Sequence, residues 1–131
     1  MLYGIGVDVT SLHRFADKDP AGHFVRRVYG QEERGALTGL APHRLSQRLA
    51  GSWAAKEAFL KAAGRGLGGF ALEDIQVLHK ESGQPVLTLS GTAGAWMEEN
   101  RLTAHLSISH DGDVCTAFVV LEAENEEKKP C

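Results

Sequence analysis

Cysteine is scarce in this chain of 131 residues, which carries only Cys115 and Cys131. Two such positions make neither a disulfide framework nor a zinc-ligand spacing. Cys115 lies in the apolar stretch Val114-Cys115-Thr116-Ala117-Phe118-Val119-Val120 and is expected to be a small buried hydrophobe. Cys131 ends a charged tail as an expected free thiol, and this usage fits a reducing cytoplasm. Long apolar runs are also missing. None approaches the ~20 residues that a membrane-spanning helix needs. Glycine, aspartate and histidine enter within the first thirteen residues, which argues against a signal peptide. There is no excess of positive charge, with 14 Lys and Arg against 17 Asp and Glu. Nucleic acid, which calls for a basic domain, is not an expected partner. No internal repeat is visible, so the chain is not read as a solenoid.

What is present is the make-up of one globular domain, 43% apolar and 24% charged. The domain is expected over residues 1–122, followed by a charged, disordered tail over 123–131. The net charge of −3 hides an asymmetry. Residues 42–65 carry Arg44, Arg48, Lys56, Lys61 and Arg65 against Glu57 alone, whereas Glu122, Glu124, Glu126 and Glu127 face only Lys128 and Lys129. A basic middle in an acidic protein suggests a small polyanion or an acidic protein partner.

Periodicity and turn residues predict a strand over 2–9, short helices over 23–29 and 32–40, and a long helix from Pro42 to about Ala63. A hairpin is predicted over 75–90 around Glu81-Ser82-Gly83-Gln84-Pro85, and a helix over 91–100. A second hairpin is predicted over 104–122, turning at Asp111-Gly112-Asp113. The expected class is α+β, an antiparallel sheet packed on one long helix.

Two segments concentrate the polar groups. In Trp53-Ala54-Ala55-Lys56-Glu57-Ala58-Phe59-Leu60-Lys61-Ala62, helical spacing puts Trp53, Glu57 and Lys61 on one face. Such a carboxylate and ammonium can hold a hard cation and the phosphate it binds, or can form a plain helix ion pair. Lys56 points about 100° away from Glu57 and is read as a packing lysine, a contact to a different phosphate or a solvated surface residue. In Tyr3-Gly4-Ile5-Gly6-Val7-Asp8-Val9, alternation puts Gly4, Gly6 and Asp8 on one face. The glycines clear room there for a ligand or another backbone, and Asp8 is either a ligand-site carboxylate or a helix cap.

Together these segments resemble the two signature motifs of the 4′-phosphopantetheinyl transferases: Gly4-Ile5-Gly6-Val7-Asp8 with Arg14, then Trp53 to Ala62. The chain length and Ser107-Ile108-Ser109-His110 point within that family to its small single-domain type, the holo-[acyl-carrier-protein] synthases. The resemblance runs from Leu2 to Glu122. It implies transfer of the 4′-phosphopantetheine arm of coenzyme A to a serine of an apo acyl carrier protein, with release of adenosine 3′,5′-bisphosphate. The carriers served belong to fatty-acid synthesis, polyketide synthesis or both. It also implies a homotrimer with active sites between neighbours.

Carried over residue by residue, the resemblance makes Asp8 and Glu57 ligands of Mg²⁺, and Lys61 the cation on the diphosphate. Glu57, Lys61, His110 and Asp111 become the catalytic candidates, with Asp111 orienting His110 or activating a water. The loop with Gly64, Arg65 and Gly66 becomes part of the coenzyme A pocket, together with Gly83, Pro85, Ser109 and His110. Arg14 is implied as a carrier contact, and Phe24, Arg26 and Arg27 extend a basic, partly apolar docking surface. Ser52 departs from the pattern, because an arginine often stands there. Arg48, one turn earlier, could reach the same region. A non-catalytic coenzyme A-binding module and a Mg²⁺-dependent pyrophosphohydrolase are the competing readings.

Overall fold

The structure, a computed structural model, describes residues 1–66 and 68–125. Among the described residues five strands and four helices follow one another: β1 (Leu2–Ser11), α1 (His23–Val28), α2 (Gln31–Gly35), α3 (Pro42–Ala62), β2 (Ile75–His79), β3 (Pro85–Leu89), α4 (Gly91–Glu99), β4 (Leu102–Asp111) and β5 (Val114–Ala123). Short 3₁₀ turns stand at Leu12–Phe15 and Leu72–Asp74. β5 is the middle strand of an antiparallel sheet in the order β1-β5-β4, and β2-β3 form a separate antiparallel hairpin. The α+β class expected from the sequence is the class observed.

Helix α3 is the axis of the domain. Pro42 opens it, where a missing N–H costs nothing. Gly64 closes it at φ +74°, with Gly64 N–H on Lys61 O at 3.0 Å and Arg65 N–H on Leu60 O at 2.8 Å. These paired bonds satisfy the last carbonyls of the helix. Its buried residues Leu49, Ala54, Ala58 and Phe59 pack with Cys115, Ala117, Val119 and Leu121 of β5 in one core. Small residues let β1 come close. A Cβ on Gly6 would overlap the Ala58 carbonyl, and one on Gly4 would overlap that of Ala62. The two glycines therefore serve the approach of another backbone.

Several boundaries differ from expectation. The helix expected over 32–40 is only Gln31–Gly35, because Gly35 ends it and Gly39 takes φ +80°. Asp111 is not a turn residue but pairs with Val114, which leaves Gly112, at φ +59°, and Asp113 as a two-residue turn. Asp8 caps no helix, since the cap of the following 3₁₀ turn is Ser11. β5 continues one residue past the expected domain end, and Glu124 N–H donates to Arg101 O at 3.0 Å. Residues 126–131 of the expected tail lie outside the described residues.

Lys56 corrects two of its three readings. It is 0% exposed, so it is neither a solvated lysine nor a phosphate contact. Its ammonium donates to Glu33 Oε1 at 2.7 Å, to Leu72 O at 2.9 Å and to Ile75 O. All three of its protons are thereby used. Glu33 in turn accepts from Gly30 N–H and Val77 N–H, both at 2.8 Å. This network ties α2 and the base of the β2–β3 hairpin to α3.

Candidate active site

Three side chains converge where β1 crosses the C-terminal half of α3. Asp8 projects from β1 toward the helix, as the parity it shares with Gly4 and Gly6 requires. Lys61 Nζ donates to Val7 O at 2.9 Å and stands 3.4 Å from Asp8 Oδ1. Thr10 Oγ1 donates to Asp8 Oδ2 at 2.8 Å and fixes the carboxylate from its other side. Glu57, one turn before Lys61, is half-buried. Burial raises its pKa above the usual carboxylate value, and the Asp8 charge adds to that; Lys61 and Arg14 oppose it. Two carboxylates thus crowd one another beside a single ammonium. Among the described residues no cluster of three His, Cys, Asp or Glu side chains could hold a metal by protein ligands alone. The paired carboxylates of Asp8 and Glu57 are of a kind that fits a hard ion that keeps water and phosphate oxygens, as Mg²⁺ does.

Next to this corner is an aromatic surface. The Arg14 guanidinium lies 5.5 Å from the Trp53 ring centroid and 5.8 Å from that of Phe15. Phe24 packs on Phe15 and Trp53 with centroids 6.2 and 6.1 Å apart. Arg26 and Arg27 are exposed on α1, whose Val25 and Val28 are buried. Lys18, which the sequence reading passed over, stands 4.7 Å over Phe24 and adds another cation to this face. Gly64 and Gly66 are exposed, and the Arg65 guanidinium stacks 4.5 Å from Phe70 and 5.6 Å from Trp96.

A second polar concavity lies elsewhere on α3. A cavity of about 260 Å³ is lined by Arg44, Gln47, Arg48, Gly51, Ser52, His79, Gly83, Pro85, Ile108 and His110. The His110 ring packs over Gly51, where an added Cβ would be 3.6 Å from Cε1. Gly83, Pro85 and His110 are thus brought together, as the sequence suggested, but Ser109 and Asp111 are not with them. Ser109 pairs with Thr116 and is exposed, and Asp111 pairs with the exposed Val114 on the outer face of the sheet. Neighbours in a strand point to opposite faces, so Asp111 does not orient His110. His79 was missed. Its signal was the hairpin itself, whose register sets His79 opposite Pro85.

The cavity and the carboxylate corner lie on opposite flanks of α3. Nine residues separate Arg48 from Glu57, which at 100° each is a rotation of about 180°. Asp8 and His110 sit on the two edge strands, with β5 between them.

Comparison with known proteins places this geometry. Residues 4–119 match the model of the 4′-phosphopantetheinyl transferase superfamily. The holo-[acyl-carrier-protein] synthase of Lacticaseibacillus casei (strain BL23) is 36% identical over 129 residues, covering 98% of each chain. That of Limosilactobacillus reuteri is 34% identical over 125 residues, covering 95% of this chain and all of the relative. Among solved structures, the holo-(acyl-carrier-protein) synthase of Bacillus anthracis, in complex with CoA (3′,5′-ADP), superposes with a TM-score of 0.80 at 36% identity, covering 95% of this chain and 99% of its own. The Neisseria meningitidis enzyme gives 0.83 at 34% identity, covering 93% and 99%. With two signature segments meeting at Asp8, Glu57 and Lys61, and a match that spans nearly the whole chain, this protein belongs to the 4′-phosphopantetheinyl transferase superfamily.

Proposed function

We propose that the protein is a holo-[acyl-carrier-protein] synthase, which moves the 4′-phosphopantetheine arm of coenzyme A onto a serine of an apo acyl carrier protein. The observation that carries this reading is the meeting of Asp8, Glu57 and Lys61 in one corner. Asp8 and Glu57 would hold Mg²⁺, which would supply charge neutralisation at the diphosphate. The Lys61 ammonium faces the same oxygens and stabilises the bridging oxygen as it departs. The serine oxygen bonds to the phosphorus that carries the pantetheine. The bond from that phosphorus to the bridging oxygen breaks, and adenosine 3′,5′-bisphosphate leaves. The serine proton passes to Glu57 or to a water held at this corner. No chemistry is assigned to Asp111.

Arg14, Lys18, Arg26 and Arg27 around Phe24 offer an acidic carrier a cationic rim and an apolar centre. That surface favours a protein acceptor over water, and so transfer over diphosphate hydrolysis. A binding module without chemistry would have no use for the paired carboxylates. The free, buried Cys115 suits work in the cytoplasm, and among the described residues no helix is long and apolar enough to cross a membrane.

Two observations support a homotrimer with shared sites. Tyr3, Ile5, Val7 and Val9 of β1 and Val114 and Phe118 of β5 leave the outer face of the sheet apolar and exposed, Ile5 at 55% and Phe118 at 43%. A face of this kind marks an interface. Further, one ligand cannot pass through α3 to touch Glu57 and His110 of the same chain. The cationic cavity of one subunit set against the carboxylate corner of its neighbour completes a coenzyme A site.

The test is to incubate the protein with coenzyme A, Mg²⁺ and apo carrier protein and to weigh the carrier. The expected result is a gain of one phosphopantetheine arm, lost in Asp8→Asn and Glu57→Gln with folding intact. An unmodified carrier, or full activity of either variant at limiting Mg²⁺, overturns the reading. Mixing Glu57→Gln with His110→Ala subunits should restore some activity if sites are shared. No restoration between exchanging, folded variants refutes the shared site.

A further inference from the structure

Asp8 is held by two threonine hydroxyls. Thr10 follows it by two residues on β1, so both side chains stand on the face of the strand that packs on α3. Thr10 Oγ1 donates to Asp8 Oδ2 at 2.8 Å, and Thr116 Oγ1, reaching over from β5, donates to the main-chain oxygen of Asp8 at 2.9 Å. Thr10 is 1% exposed and pairs with the buried Cys115 of β5. A branched side chain packed in this way has little freedom about χ1, so the core fixes where its hydroxyl points. The two oxygens of Asp8 thereby become unequal. Oδ2 is taken by Thr10, and Oδ1 is left on the side of Lys61, 3.4 Å from Nζ.

An unsupported aspartate turns about χ1 and χ2 and has to be ordered each time an ion arrives. Without the Thr10 hydroxyl, the Asp8 carboxylate is also free to swing both oxygens toward the Lys61 ammonium, which then competes with the ion. We propose that Thr10 is a positioning residue for the cation site: its hydroxyl holds Oδ2 of Asp8 so that Oδ1 is presented to a divalent ion beside Glu57 and Lys61. This inference deepens the transferase reading and rests on it, since it takes Asp8 and Glu57 as ligands of the ion. A hydrogen bond that orients a metal-binding side chain is worth about tenfold to a hundredfold in affinity. A hydroxyl with a purely structural role behaves differently. Being buried, it needs an acceptor wherever it lies, and its removal is felt in stability and not in ion affinity.

Ion binding is read directly with Mn²⁺, which shares the preference of Mg²⁺ for octahedral oxygen ligation. Electron paramagnetic resonance counts the free ion while protein and coenzyme A are present and the carrier is absent. Thr10→Val keeps the branched shape and loses the hydroxyl, and it should weaken Mn²⁺ binding by about tenfold to a hundredfold. Thr10→Ser keeps the hydroxyl and should recover most of the affinity. In the transfer assay, Thr10→Val should need about ten to a hundred times more Mg²⁺ to reach its half-maximal rate. Should Thr10→Val not fold, Thr10→Ala against Thr10→Ser isolates the same hydroxyl, with urea unfolding as the control for both. Equal Mn²⁺ affinity in the folded hydroxyl-less variant and the wild type overturns the role of Thr10, whatever happens to stability. So does a Thr10→Ser protein that binds as weakly as the variant without the hydroxyl. A wild type that takes up no Mn²⁺ overturns the cation site and the role of Thr10 together. If Mn²⁺ binding follows the hydroxyl while the carrier is never modified, the role of Thr10 stands and the transferase reading fails alone.

Discussion

Replacing Lys56 by methionine keeps the length and apolar stem of the side chain and removes one buried ammonium. Glu33 then stays behind as a carboxylate that is 4% exposed, still held by Gly30 and Val77 N–H but without its cation, while the carbonyls of Leu72 and Ile75 lose their donor. Burial pulls the Lys56 ammonium below its usual pKa, and Glu33 is the largest opposing influence, so the two charges are held by each other. Breaking such a pair from one side costs about 3–5 kcal/mol. About 2.1 cal/mol/K per residue over 131 residues makes the unfolding entropy roughly 0.28 kcal/mol/K. The melting temperature should therefore fall by about 11–18 °C. Urea unfolding of Lys56→Met, Glu33→Gln and the double variant closes the cycle. The double variant should lose less than the two singles together, with a coupling of about 1–3 kcal/mol. Because the network anchors the segment that leads into β2, Lys56→Met assayed well below its melting point should bind coenzyme A more weakly. A loss under 1 kcal/mol, or singles that simply add, would refute the view that this pair fastens the hairpin to α3.

Gly6→Ala should lower kcat by about a hundredfold, because the new Cβ, 2.8 Å from Ala62 N and overlapping Ala58 O, forces β1 and with it Asp8 away from Glu57; steady-state kinetics with a circular-dichroism control checks it, and unchanged kcat refutes it. Phe118→Glu puts a charge in the middle of the exposed apolar face and should give folded, inactive monomers by sedimentation. Arg14→Glu should raise the KM for the carrier far more than that for coenzyme A, with an effect that shrinks as salt is added. Cys115 is held protonated by burial, with its pKa pushed up to about 11. The unfolded thiol ionises first, so the unfolded state binds fewer protons and stability falls as pH rises from about 9 to 11; Cys115→Ala should lessen that fall in urea titrations at pH 8 and 10.5.

Alternation and helical spacing were enough to place Gly4, Gly6 and Asp8 on one face of a strand and Trp53, Glu57 and Lys61 on one face of a helix. Both are local periodicities, set by backbone geometry within a few residues. The same reasoning found the two hairpins and the Pro42 and Gly64 ends of α3, because proline and glycine act on the dihedrals where they stand. What each face meets is not local. The burial of Lys56 depends on Glu33 and on the carbonyls of Leu72 and Ile75, which lie 16 to 23 residues away. The parting of Asp111 from His110 follows from a hairpin turn one residue shorter than Asp111-Gly112-Asp113 suggested. The position of the cationic cavity across α3 from the carboxylates arises only when β1 and β4 take the two edges of one sheet with β5 between them. Strand order and partner choice are properties of the packed core, and they decide which of the polar residues share a site.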